Sequence, residues 1–393
     1  MKNRTGNSRS KTITISLAHL VHDVPGAFLA PILPLLIEKF GLTVFLAGML
    51  DTFRRIPAIA NPFLGLMADK ICIRWFIILM PGTTAILMSL MGVAPGYAFL
   101  SVLLLLSGIS SALFHVTAPV MIRHVSKDRI GMGMSFYMLG GELARTLGPL
   151  IILGAVSLWG LDGTYRLVPF GIVATILLYF MLKDVSMERE APAKEDEGVR
   201  RTFIGLVPFF ICVTGIFFCR AAMKSALTLY LPTYLTSQGA SLWMAGISLA
   251  VLQFSGAAGT FLAGIISDRI GRKATLLIIT AVNPFLMWLF IWLDGRYSIP
   301  ILIVTGFFLF ASGPVLLALV HDIKSKRMSF INGIYMTLNF TLSSIMVLLV
   351  GFSADKIGLD LTFRISAFLA AGSVPFVFFL KTPGSGSKTD SRD

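Results

Sequence analysis

Residues 264–273 read Gly-Ile-Ile-Ser-Asp-Arg-Ile-Gly-Arg-Lys. Four of these ten residues are charged (Asp268, Arg269, Arg272 and Lys273), yet apolar runs at 241–266 and 273–293 flank them closely. Each run has the roughly 20 residues a helix needs to cross a bilayer. The stretch therefore reads as a tight turn at a membrane–water boundary. Gly264 offers a place for close helix packing, and Asp268, Arg269 and Arg272 can form a breakable charge network.

The same reading extends outward. Of the 393 residues 55% are hydrophobic and 13% charged, and mean hydropathy is +0.82. Soluble domains carry about 25% charged residues. This composition excludes a soluble enzyme, a disordered chain and a secreted disulfide scaffold. Twelve spans are expected, at 13–37, 43–66, 74–93, 97–121, 130–157, 163–183, 203–235, 241–266, 273–293, 298–320, 328–353 and 361–381. The charged stretch 184–202 separates six spans from six, giving bundles at 1–183 and 203–393 joined by a linker. The net charge of +13 suits a membrane better than nucleic acid, because Lys and Arg collect on cytoplasmic loops. With both termini cytoplasmic, 23 basic residues fall on that side and five on the other (Lys39, Arg166, Arg296, Lys356 and Arg364).

The halves repeat. A shift of 198 residues lays Leu33-Pro34 on Leu231-Pro232, Gly41 on Gly239, Ala47-Gly48 on Ala245-Gly246, Arg129 on Arg327 and Tyr137-Met138 on Tyr335-Met336. One further residue aligns Asp69 with Asp268. Parallel repeats of membrane helices are a transporter architecture, with the substrate site expected near mid-membrane where the repeats meet.

Charges inside spans are costly and mark function. Span one carries His19, His22 and Asp23 on one helical face. Asp23 can exchange a proton, with His22 tuning or sharing it. Span two carries Asp51, Arg54 and Arg55; Asp51 neutralises one arginine, and the other needs substrate or another helix as partner. Span five carries Glu142 and Arg145, which pair with each other unless Arg145 reaches Asp51. Span seven carries Arg220 and Lys224 with no acid nearby in that helix, and Arg220 is the repeat counterpart of His22. Two such cations on one face invite an anion, and arginine suits bidentate oxyanion recognition. His115 in span four and Tyr230 in span seven are further candidate substrate contacts. No Walker-type phosphate loop, zinc-site spacing or cofactor fingerprint is present.

The 264–273 stretch resembles the loop signature G-x-x-x-D-[RK]-x-G-R-[KR] of the major facilitator superfamily, with a degenerate first-half copy at Gly65–Arg74 containing Asp69. His19-Leu-Val-His22-Asp23 with Pro31-Ile-Leu-Pro34, Ser110-Ser-Ala-Leu-Phe114-His115, and Phe136–Gly141 with Leu147-Gly-Pro-Leu150 resemble the fosmidomycin-resistance group of that superfamily. The resemblance is best in the first half. It implies an all-α membrane protein with twelve helices in two pseudo-symmetric bundles, a first helix lining the pathway, and a latch at Asp69, Asp268, Arg269 and Arg272.

The expected function is secondary active transport: proton-coupled export of a small organic anion or drug by alternating access. Proton coupling is assigned to Asp23, His22 and Glu142, and substrate contact to Arg220, Lys224, Arg54, Arg55, His115 and Tyr230. Asp51 and Arg145 are structural or coupling charges. The rival readings are a proton–anion importer, a non-transporting membrane sensor, and metal-ion export through His22, Asp23 and His115. No cofactor, resident metal or nucleic-acid partner is expected. The expected setting is a monomer in the cell inner membrane.

Overall fold

The computed structural model describes residues 2–61, 64, 74–126, 130–185, 199–293, 298–323 and 328–380. Asp69, Arg129, Arg327 and most of the expected linker lie outside the described residues. Every regular element among the described residues is helical. In the first half these are α1 (Lys2–Gly26), α2 (Leu29–Phe40), α3 (Val44–Arg55), α4 (Arg74–Ser89), α5 (Tyr97–Ser126), α6 (Ile130–Trp159) and α7 (Val168–Leu182). The second half holds α8 (Val199–Ser225), α9 (Leu231–Ser237), α10 (Leu242–Ile270), α11 (Arg272–Trp292), α12 (Ser298–His321), α13 (Met328–Ile357), α14 (Leu359–Ala371) and α15 (Ser373–Phe379). Eleven stretches of these are long and apolar enough to cross a membrane. The expected second span begins as α3 and tightens into a 3-10 turn at Ile56–Ala60, where Pro57 interrupts the α-helical bonding.

Contacts divide the chain into two compact units, Met1–Ala193 with Leu229–Phe254, and Lys194–Thr228 with Ser255–Asp393. Core clusters of aliphatic and aromatic residues fill both: Ile15, Ile77, Phe114, Met121 and Leu182 in the first, Val213, Ile216, Leu276, Leu316 and Ile331 in the second. Many large apolar side chains remain outward-facing, Phe170 and Phe180 in the first unit and Phe261 and Phe368 in the second among them. Such a surface is stable only against lipid.

The repeat has local physical causes. The first membrane helix of each half breaks at equivalent places, between α1 and α2 at residues 27–28 and in a π-helical turn at Ala226–Tyr230. The following short helix ends in each half at a glycine in the left-handed region, Gly41 at φ 60° and Gly239 at φ 87°. Other residues rarely adopt that conformation, which is why both copies keep glycine. Two residues later a hydroxyl caps the next helix: Thr43 Oγ1 accepts from Leu46 N at 3.2 Å, and Ser241 Oγ from Met244 N at 3.2 Å.

Glycines also set the seam between α1 and α6. A Cβ at Gly140 would stand 2.4 Å from the Ser16 carbonyl oxygen, one at Gly148 2.6 Å from that of Val24, and one at Gly141 2.6 Å from the His19 ring. These are distances real side chains cannot occupy. The stretch Phe136–Gly141 therefore brings the backbone of α6 directly onto the charged face of α1.

The turn at 264–273 is built differently from the expectation in one respect. Gly271 sits at φ 92° and lets the chain turn from α10 into α11. A Cβ on Gly264, by contrast, would meet nothing within 4 Å. Gly264 is thus not a close-packing point among the described residues. The charge network is present: Arg272 binds Asp268 at 2.5 Å, approaches Asp322 at 3.5 Å, and donates to Ser267 Oγ at 2.6 Å. Arg269 is exposed.

Candidate functional site

The first unit gathers its membrane charges around α1. Asp23 is held by two histidines, one on each carboxylate oxygen. His19 Nε2 lies 3.2 Å from Oδ2, and His115 Nε2 of α5 lies 3.1 Å from Oδ1. The donor atoms of these three residues all lie within 4.8 Å of one another. Tyr137 of α6 braces both histidines. Its carbonyl oxygen is 2.7 Å from His19 Nδ1, its hydroxyl 3.4 Å from His115 Nδ1, and its ring stacks on that of His19 at 3.9 Å. His22 stands further off, with Nε2 4.0 Å from Asp23. It stacks on Phe114 at 4.3 Å and turns Nδ1 toward Thr84 Oγ1 at 3.3 Å. Thr84 is hydrogen-bonded to Ser110 at 2.8 Å, and Ser110 donates to the Met80 carbonyl at 3.1 Å.

The other two charge groups of this unit form ion pairs within their own helices. Asp51 is 2% exposed and uses both oxygens, one on Arg54 Nη2 at 3.2 Å and one on Arg55 Nε at 2.5 Å. The expectation that one arginine would lack a partner in its own helix is corrected here, because a carboxylate can accept from both. Arg54 has a second task. Its Nη1 donates at 3.0 Å to the carbonyl of Gly26, left without an intrahelical partner where α1 breaks. Arg145 Nη2 pairs with Glu142 Oε1 at 2.7 Å, while Glu142 Oε2 is buried with no hydrogen-bond partner. Arg145 is therefore Glu142's ion-pair partner, and Asp51 is taken up by its own helix. Tyr230 is wholly enclosed in the π-helical turn.

The second unit presents a different chemistry. Arg220 of α8 is 8% exposed, and its Nη1 is buried without a hydrogen-bond partner. No carboxylate among the described residues pairs with it. Its guanidinium carbon lies 6.0 Å from the centre of the Phe217 ring, which packs on Tyr335 at 5.2 Å. The Tyr335 hydroxyl donates to the Gly313 carbonyl at 3.3 Å. One turn along α8, Lys224 Nζ lies 5.8 Å from the centre of the Phe310 ring.

The 198-residue shift maps these two constellations onto each other, member by member. His19, His22, Asp23, His115 and Tyr137 become Phe217, Arg220, Ala221, Gly313 and Tyr335. The contacts map as well. The tyrosine ring lies against position 19 or 217, and its hydroxyl reaches position 115 or 313. Where the first copy has a carboxylate and two imidazoles, the second has a methyl group, a phenyl ring and no side chain. A Cβ at Gly313 would meet nothing within 4 Å. His19 and Tyr137 are the members without an assigned role in the sequence reading. The i, i+4 spacing of His19 to Asp23 signalled the first; nothing in a sequence signals that the carbonyl of Tyr137 matters.

An α-helical membrane bundle with internal repeats and buried charges on several of its helices fits a secondary transporter rather than an enzyme. The major facilitator superfamily pattern matches residues 15–347, and the chain belongs to that superfamily. It is 26% identical over 368 residues to the fosmidomycin resistance protein of Escherichia coli K12, covering 90% of this chain and 89% of that one. It is 23% identical over 263 residues to the multi-drug resistance efflux pump PmrA of Streptococcus pneumoniae, covering 64% and 65%. Among solved structures, the nucleoside transporter NupG superposes with a TM-score of 0.72 at 12% identity, covering 94% of this chain and 100% of that one. A D-xylose–proton symporter does so with a TM-score of 0.72 at 15% identity, covering 95% and 98%. The protein is a multi-pass membrane transporter with the major facilitator fold.

Proposed function

We propose that this transporter exports a small organic anion across the inner membrane in exchange for protons. The observation that carries the reading is the division between the repeats. At equivalent positions one half keeps a carboxylate clasped by histidines, and the other keeps a buried arginine beside emptied positions. The first is suited to holding a proton and the second to holding an oxyanion. Arg54, Arg55 and Arg145 have carboxylate partners in their own helices, whereas the helix of Arg220 carries no acid and its Nη1 is buried without a hydrogen-bond partner among the described residues. A buried guanidinium with an unused donor is costly, by about 1–3 kcal/mol for the donor alone. A visiting carboxylate or phosphonate relieves that cost, whereas a cation raises it.

Export rather than uptake is supported by the relatives, which are named for resistance and efflux. The 23-to-five distribution of basic residues supports cytoplasmic termini. Binding to the purified protein tests the sign of the substrate. Benzoate against benzylammonium is a matched pair, and fosmidomycin, the phosphonate in the name of the Escherichia coli relative, is a third probe. Tighter binding of the anions is expected; preference for benzylammonium refutes the reading.

A further inference from the structure

We infer that His19, rather than His22, shares the coupling proton with Asp23. This deepens the proposed function and rests on its assignment of the proton to Asp23. His19 Nδ1 lies 2.7 Å from the Tyr137 carbonyl, which only accepts, so Nδ1 carries a hydrogen. His19 Nε2 lies 3.2 Å from Asp23 Oδ2. A neutral His19 then points a lone pair at that oxygen, and an ionised Asp23 points one back. The geometry is satisfied only when one proton sits between them, on Nε2 or on Oδ2. His115 places no such demand. With Nδ1 accepting from the Tyr137 hydroxyl, its Nε2–H donates to Asp23 Oδ1, and no second hydrogen on the ring is required.

His22 is fixed in the opposite sense. With the Ser110 hydrogen given to the Met80 carbonyl, Thr84 donates to Ser110 and accepts from His22 Nδ1. His22 thereby carries its hydrogen on Nδ1, and its Nε2, 4.0 Å from Asp23, lies beyond hydrogen-bond distance of the carboxylate, a spectator beside the pair. The titratable groups facing Asp23 are thus His19 and His22 from α1, His115 from α5 and Tyr137 from α6. Only His19 meets the carboxylate with acceptors at both ends of its ring. Gly141 makes this possible, since any side chain there would displace the His19 ring.

Nitrogen-15 NMR of histidine-labelled, substrate-free protein tests the inference directly, because the chain has five histidines. Two of them, assigned by His19→Gln and His22→Gln, are expected to keep Nδ1–H throughout the titration. Of these, His19 alone is expected to exchange a proton at Nε2 together with Asp23. In Asp23→Asn its Nε2 stays a pure acceptor, because the amide now donates to it. An Nδ1-unprotonated His19, or wild-type and Asp23→Asn spectra that coincide, overturns the inference. If His19→Gln fails to fold, assignment by elimination through His22→Gln, His115→Gln, His124→Gln and His321→Gln decides the same question. In transport, His19→Gln should lose pH-gradient drive and His22→Gln keep it within about twofold. A wild type with no pH-gradient drive at all would instead sink the proton reading itself.

Discussion

Asp23→Asn is expected to abolish accumulation driven by a pH gradient while leaving gradient-free exchange of the anion intact. One pH unit across the membrane is worth about 1.4 kcal/mol per proton, a roughly tenfold concentration ratio. Wild-type protein exchanging one proton per anion should sustain about that ratio in proteoliposomes. The variant should sustain a ratio of about one. The change is unusually clean, because the amide reproduces the protonated carboxyl. Its oxygen still accepts from His115 Nε2, and its NH2 donates to His19 Nε2, so both contacts at 3.1 and 3.2 Å keep a hydrogen. Folding should therefore survive, and the exchange assay verifies that it does. A variant that still follows the pH gradient would remove Asp23 from the coupling.

Arg220→Gln separates a binding charge from a structural one by the sign of its effect on stability. Losing a hydrogen bond from a charged donor costs about 1.5–3 kcal/mol, so affinity for the anion should fall roughly 10–150-fold. A structural lock would lose stability with the charge, because its partner would be stranded. Among the described residues Arg220 has no such carboxylate partner: its Nη1 is buried and unbonded, and its guanidinium lies by the Phe217 ring. The ligand-free unfolding temperature should accordingly hold or rise. Unchanged anion affinity together with a marked fall in unfolding temperature would make Arg220 part of the scaffold.

Much of this molecule was legible in its residues. Eleven of the twelve spans read from hydropathy appear as membrane-length apolar helices among the described residues, because every backbone group in lipid must be bonded within its own helix. Gly41 and Gly239 are legible as a repeated pair because the left-handed region is nearly closed to other residues. Arg220 stood out because a cation without an acid in its helix is expensive. The limits are equally physical. The Asp51 cluster was half-read: spacing placed two arginines in reach but not that each would take its own carboxylate oxygen. Gly264 looked like a packing glycine and faces open space instead. The proton cluster was the hardest to read. His115 and Tyr137 reach α1 from other helices, and the decisive acceptor on His19 is a backbone carbonyl that no side-chain pattern reports. Only the packing of α6 through Gly140 and Gly141 brings that carbonyl into place.

The proposed exchange of protons for the anion fixes the direction in which each must move. Proteoliposomes enclosing a pH-sensitive dye, with no imposed pH gradient and the membrane potential clamped, measure it. A gradient of the anion chosen in the binding test is applied across the membrane. The account predicts proton movement opposite to the anion, abolished by Asp23→Asn. Anion movement without proton movement, or protons travelling in the same direction as the anion, would contradict it.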